Sequence, residues 1–289
     1  MNDATETEIF RPFRYCINTS TIRRSNLSAL DTLGIAAEAG YDGVEPWIRE
    51  LDAFVDAGGS LEEYSEKAQG LGLQIVNVIA FIEWVVDDES ARERGWQEAH
   101  RNMWMCRQIG CEHLAAPPFG AIDASGLDLG DVADRYRELL ALGKNYGVKP
   151  ILEFWWMSKK LKRLSEAAFV ALECGHPDAS ILVDIFHMYR GGSPWDGLKM
   201  LSPEVLGLVH INDYPTSPPR ETLSDSDRVF PGDGGAPLGK ILKDLHEIGY
   251  QKFLSLELFN EEYAGMDPLV VAREGLSKMK LAVKRALAG

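Results

Sequence analysis

The chain has 289 residues, 45% hydrophobic and 26% charged, a composition that builds a large buried core and excludes disordered and fibrous classes. Its 44 acidic against 30 basic side chains leave a net charge of -14, which repels nucleic-acid phosphates and anionic membranes over most of the surface. Four cysteines without CxxC or paired spacing, an MNDATETEIF start unlike a signal peptide and no apolar run near ~18 residues together point to the reducing cytoplasm, away from any membrane.

In chain order, residues 1–12 read as a flexible N-terminal segment, and the strand FRYCIN follows at 13–18. Helical stretches then end at Gly40, Gly72, Gly110, Gly147, Gly175 and Gly249. They lead into the apolar runs GVEPW, LQIVNVIAF, EHLAAPP, VKPILEF, ASILVDIF and KFLSLELF. Glycine enters the left-handed conformation after a helix without a side-chain penalty, and continuous aliphatic runs suit strands covered on both faces. One more strand, VLGLVHI at 205–211, has no glycine stop before it. Leu27, Leu30, Leu33 and Ala37 in the first helix, and Leu238, Ile241, Leu242, Leu245 and Ile248 in the one before the eighth strand, recur at helical spacing. Eight strands alternating with helices predict an α/β fold, a single-domain (β/α)8 TIM barrel over residues 13–289, with a long loop at 214–235 after strand seven.

Catalytic groups of such a barrel sit at the carboxyl ends of strands. Glu153 ends Pro150-Ile151-Leu152, Asp184 ends Ile181-Leu182-Val183, His210 ends Leu208-Val209 and Glu257 ends Leu254-Ser255-Leu256, on the fifth to eighth strands in succession. Each alone reads equally as a cap or salt-bridge partner. Together, three carboxylates and an imidazole converging on one point repel one another unless a cation lies among them. One divalent metal ion resolves this. The oxygen-rich set favours Mn²⁺, Mg²⁺ or Co²⁺, with Zn²⁺ also compatible.

His187 follows Asp184 by three, and Asp213 follows His210 by three. Strand alternation sends residues i and i+3 to opposite faces, so each pair works together only if the strand ends between its members. His187 reads either as a site residue or as a cap or core histidine, and Asp213 as an orienting partner of His210 or a turn residue. Arg228, in the long loop, reads as a clamp on a substrate oxygen or phosphate or as a loop-anchoring ion pair with Asp225 or Asp227. ProGlyAspGlyGly suggests a phosphate cradle only weakly and suits tight turns better. Trp47, Trp84, Trp155 and Trp156 fall at strand ends beside Glu45, Glu83 and Glu153, where an aromatic face receives a sugar ring or simply packs in the core.

ProIleLeuGluPhe, LeuValAspIlePheHis, HisIleAsnAspTyr, AspArgValPheProGlyAspGly and SerLeuGluLeuPhe are similar in order and spacing to segments of the xylose-isomerase-like barrel superfamily of sugar isomerases and epimerases. Within it, AspSerAspArgVal and GluLeuPheAsnGluGluTyr resemble stretches of the inosose isomerases. The resemblance implies that Glu153, Asp184, His210 and Glu257 bind the metal, that Glu153 and Glu257 also move protons as the catalytic pair, and that His187 and Arg228 contact substrate oxygens. The implied substrate is a small keto-sugar or keto-cyclitol, reacting through an enediolate to an isomer or epimer, or losing a β-hydroxyl in a dehydratase variant of the same site. PheTrpTrpMetSerLys after Glu153 departs from the ketose 3-epimerases, which carry a further glutamate there. Barrels of this kind often form homo-oligomers. A metal-assisted nuclease of the apurinic type fits poorly with six histidines and a charge of -14, and a non-catalytic sugar-binding or partner-subunit role is the remaining alternative.

Overall fold

Eight parallel strands run through the centre of the molecule: β1 (Arg14–Asn18), β2 (Gly43–Glu45), β3 (Gln74–Ile75), β4 (His113–Ala116), β5 (Lys149–Glu153), β6 (Ile181–Asp184), β7 (Leu206–His210) and β8 (Phe253–Leu256). The computed structural model describes residues 11–288, so the expected flexible segment 1–12 lies outside the described residues up to residue 10. The strand order is β3-β2-β1-β8-β7-β6-β5-β4. Val78, just beyond β3, closes the ring: its N–H donates to the His113 carbonyl at 3.2 Å, and its own carbonyl accepts from Ala115 N–H at 2.9 Å. The architecture is the predicted TIM barrel.

Around it lie α1 (Ala29–Ala39), α2 (Ile48–Asp56), α3 (Leu61–Gly70), α4 (Glu89–Gln108), α5 (Leu129–Lys144), α6 (Leu164–Glu173), α7 (Ile185–Gly191), α8 (Leu238–Glu247), α9 (Glu261–Ala264) and α10 (Pro268–Leu287). The six glycines read as helix stops all take positive φ, between 60° and 91°. The apolar spacing holds for α8, where Leu238, Ile241, Leu242 and Leu245 are buried. In α1 it holds only in part. Ser28 and Asp31 form a capping box that starts the helix at Ala29, which leaves Leu27 outside it. After β6 the regular alternation lapses. Gly192 turns left-handed at φ 78° and Pro194 blocks continuation, so short α7 and a 3-10 turn (Trp195–Met200) stand where a full barrel helix is expected.

Two-residue alternation sorts the strands into two cores. Cys16, Val76, Ala115, Ile151, Leu182, Leu208 and Phe253 point inward and plug the lower barrel. Their neighbours Ile17, Leu152, Val183, Val209 and Leu254 point outward beneath the helices. The plug is tight: a Cβ on Gly43 would lie 2.5 Å from Val76 Cγ2 and 2.9 Å from Phe253 Cε1. Two residues further up β5, β6 and β7 the inward positions become Glu153, Asp184 and His210, and Glu257 directly follows β8. No helix among the described residues is long and apolar enough to cross a membrane.

Candidate metal and proton-transfer site

All four strand-end residues are buried, with Asp184 and His210 at 0% exposure, Glu153 at 4% and Glu257 at 5%. His210 is the centre of the group. Its Nε2 stands 3.0 Å from both oxygens of Glu45, which ends β2 on the opposite side of the barrel. Glu45 also accepts hydrogen bonds from Asn77 Nδ2 at 2.8 Å, Ser255 Oγ at 2.8 Å and Asn18 Nδ2 at 3.0 Å. Burial alone would raise the Glu45 carboxyl, but the His210 charge and these donors hold it below its ordinary range. Burial would likewise push His210 down, yet the Glu45 and Glu257 carboxylates beside it hold it well up. Glu45 is thus the orienting partner of His210, a role the sequence did not assign, its one local sign being that it ends the strand GVE.

His210 Nδ1 is buried and has no hydrogen-bond partner, although Glu257 Oε2 lies 3.2 Å and Asp184 Oδ2 3.6 Å from it. These three side chains offer ligand atoms all within 4.8 Å of one another. A buried nitrogen without a partner, facing two carboxylates and held from behind by a third, is a donor set that could hold a divalent metal by imidazole and oxygen. Three further residues fix the carboxylates. Asn212 Nδ2 donates to Asp184 Oδ2 at 3.0 Å, Asn18 Nδ2 donates to Glu257 Oε1 at 3.1 Å, and Arg228 Nη1 donates to both Asp184 Oδ2 and Glu257 Oε2 at 2.8 Å. Arg228 takes its loop-anchoring reading, because Nη2 holds Asp225 Oδ1 at 2.7 Å and so pins the long loop over the site. Its guanidinium lies between the rings of Phe186 and Phe259 at 5.0 and 5.1 Å. With Arg228 and His187 beside it, the Asp184 carboxyl falls far below its ordinary range despite burial.

Glu153 stands outside the group of three, with Oε1 3.6 Å from His187 Nε2. Burial raises its carboxyl to about 8, which the neighbouring Glu257 and Asp184 reinforce against the opposing effect of His210. Without a metal ion it therefore keeps its proton near neutral pH. His187 reaches the site as the sequence condition requires: β6 ends at Asp184, which caps α7 by accepting the His187 N–H at 2.8 Å. Burial keeps its imidazole below its ordinary range and neutral.

Asp213 belongs to the loop. It accepts from the backbone N–H groups of Tyr214 and Ala236 at 2.8 Å, Gly232 at 2.9 Å and Gly234 at 3.1 Å, so the ProGlyAspGlyGly amides are spent on an internal carboxylate and no phosphate cradle exists. Residues 214–235 are accordingly an ordered cover, tied to β7's exit by the Asp213–Val229 bridge. Glu83 pairs with Arg94 at 3.8 Å on the outside. Trp84 is fully buried with its N–H on the Pro117 carbonyl, and Trp156 lies under Arg190. Trp47 and Trp155, with Glu153, His187, Arg228 and Glu257, line a cavity of about 440 Å³ above the strand ends. A larger groove of about 650 Å³ beside α1 and α2 holds none of the strand-end residues.

Comparison with known proteins agrees with this architecture. A family profile described as Xylose isomerase-like TIM barrel matches residues 33–282. An inosose isomerase of Halalkalibacterium halodurans is 33% identical, over 86% of this chain and 89% of its own length. An inosose isomerase of Bacillus subtilis is 29% identical, over 86% and 90%. The crystal structure of the IOLI protein with a bound zinc atom superposes with a TM-score of 0.87 at 25% identity, covering 96% of this chain and all of that one.

Proposed function

This chain belongs to the xylose isomerase-like TIM barrel family, and from that premise we propose that it is a divalent-metal-dependent isomerase or epimerase of a keto-sugar or keto-cyclitol of the inosose kind. The observation that carries the reading is His210, whose Nε2 is fixed by Glu45 while its buried Nδ1 faces Asp184 and Glu257 without a partner. Asp184, His210 and Glu257 would hold the ion, with Glu153 as the fourth residue and third carboxyl near them. A bound divalent cation supplies Lewis acidity towards the substrate's carbonyl oxygen, and the bound zinc of the IOLI structure supports such a site.

The chain's own residues do the rest. Arg228 and neutral His187 donate hydrogen bonds to substrate oxygens and stabilise the negative charge that develops as the adjacent C–H is broken. One of Glu153 and Glu257 takes that proton, and the same or the opposite carboxyl returns it to the neighbouring carbon or to the other face. Phe186 and Phe259 flank Arg228 and exclude water from it. The same pair of carboxyls also suits a dehydratase, in which the one holding a proton gives it to a departing β-hydroxyl that leaves as water.

Solvent deuterium exchange into 2-keto-myo-inositol and ketohexoses, followed by NMR with and without chelator, tests the reading. Exchange lost on chelation and restored by metal is expected. Full exchange in the metal-free protein overturns metal dependence, and tight ring binding without exchange points to a non-catalytic role.

A further inference from the structure

The cavity above the strand ends is divided by chemistry. One wall carries Glu153, His187, Arg228 and Glu257, while the wall built from the segments after β2, β3 and β5 is aromatic. Phe81 stands at its centre. Trp47 and Trp155 meet it edge to face, each with ring centroids 5.4 Å away, and Phe119 stacks on it at 5.4 Å. Trp47 is fixed in place: its indole N–H donates to Asn18 Oδ1 at 2.7 Å, and Asn18 in turn donates to Glu45 and Glu257. Arg49 lies over the same ring at 4.4 Å. The aromatic wall is therefore held by the same amide that fixes the site's carboxylates, yet Phe81 remains 38% exposed, a large apolar ring left open at the mouth of a polar site.

A ring bearing hydroxyls on every carbon finds its donors and acceptors mainly on the first wall, since Arg49 is the charged side chain that the second adds to its rings. Hydroxyls turned to the rings of Phe81 and Trp155 would lose water and gain no partner from them. A flat apolar group gains there twice, by burial and by edge or face contact with Phe81 and Trp155. At about 440 Å³ the cavity falls in the ~300–1,000 Å³ range that encloses ligands larger than a single sugar ring. Resting on the proposed keto-ring chemistry, we infer that the substrate carries a flat, apolar substituent, as an aryl glycoside does, with its keto ring over the strand ends and its aryl group against Trp47, Phe81 and Trp155.

Unreactive glycosides separate this inference from the chemistry beneath it. Calorimetric titration of the metal-loaded chain with 4-nitrophenyl β-glucoside and methyl β-glucoside should give at least tenfold tighter binding of the aryl compound. Phe81→Ala should reduce that advantage to less than threefold, and Phe81→Leu, which keeps apolar bulk without the ring, should reduce it in part. Equal affinities, an advantage that survives Phe81→Ala, or no binding of either glycoside at millimolar concentration overturns the inference. Aryl preference without deuterium exchange into any keto ring overturns the proposed chemistry alone, and exchange without aryl preference overturns the substrate inference alone.

Discussion

The lower and upper halves of the barrel interior share the same strands and differ by two residues along each. Ile151, Leu182 and Leu208 form an apolar plug, and Glu153, Asp184 and His210 crown it with charge. The plug gains from removal of its side chains from water, whereas the crown loses hydration that only exact partners return. The difference shows where this fold stores stability and where it gives stability up for chemistry. One strand end serves both because pleating points alternate residues the same way.

Replacements matched in position sharpen that division. Glu257→Gln should lower deuterium exchange or turnover by about 10³-fold with the fold retained, since it removes a proposed proton carrier from the crown. Retained turnover would show that Glu257 transfers no proton. Ile151→Ala, in the plug, should do the reverse, costing about 2–5 kcal/mol in denaturant unfolding while metal binding in the folded fraction stays unchanged. Equal damage to metal affinity would break the division. Glu45→Gln tests the boundary between the halves: it should weaken metal binding about 10–100-fold by titration against a chelator, through loss of the carboxylate that orients His210.

Much of this was legible in the chain. The eight strands follow from the apolar runs and six glycine stops, and the four strand-end residues from a charge placed where such a run ends. Partners joined across the barrel were harder to read. Glu45 and His210 are 165 positions apart, and Asn18 and Glu257 are 239 apart. Nothing local to GVE or RYCIN announces those contacts, although Glu45 and Asn18 end their strands as Glu153 ends β5. Asp213 falls to its turn reading for a different reason. Its spacing from His210 matched that of His187 from Asp184, but β6 passes directly into a helix that returns His187 to the site, whereas β7 opens into a loop that claims Asp213. The short α7 depended on Gly192 and Pro194, which were in plain view and not read as a break.

The subtlest expected effect distinguishes the crown's charge from its packing. In the metal-free protein the Glu153 carboxyl is raised from its ordinary value near 4.5 to about 8, so between those values the folded chain keeps a proton that the unfolded chain has released. Its stabilising contribution is complete below about 4.5 and is lost as pH rises towards 8. His210 acts in the same direction from its ordinary value near 6.5 upward, because its folded form also holds its proton more tightly. Asp184 and Glu45 are lowered and act oppositely, losing their contribution only as pH falls below the ordinary carboxylate range. Chelated wild-type protein should therefore lose unfolding free energy between pH 5 and 8 more steeply than chelated Glu153→Gln, by less than one proton per molecule. Metal should reverse the trend, since it binds the deprotonated ligands and stabilises more as pH rises. Parallel wild-type and Glu153→Gln curves in urea across that range would mean that the proton assigned to Glu153 resides elsewhere in the crown.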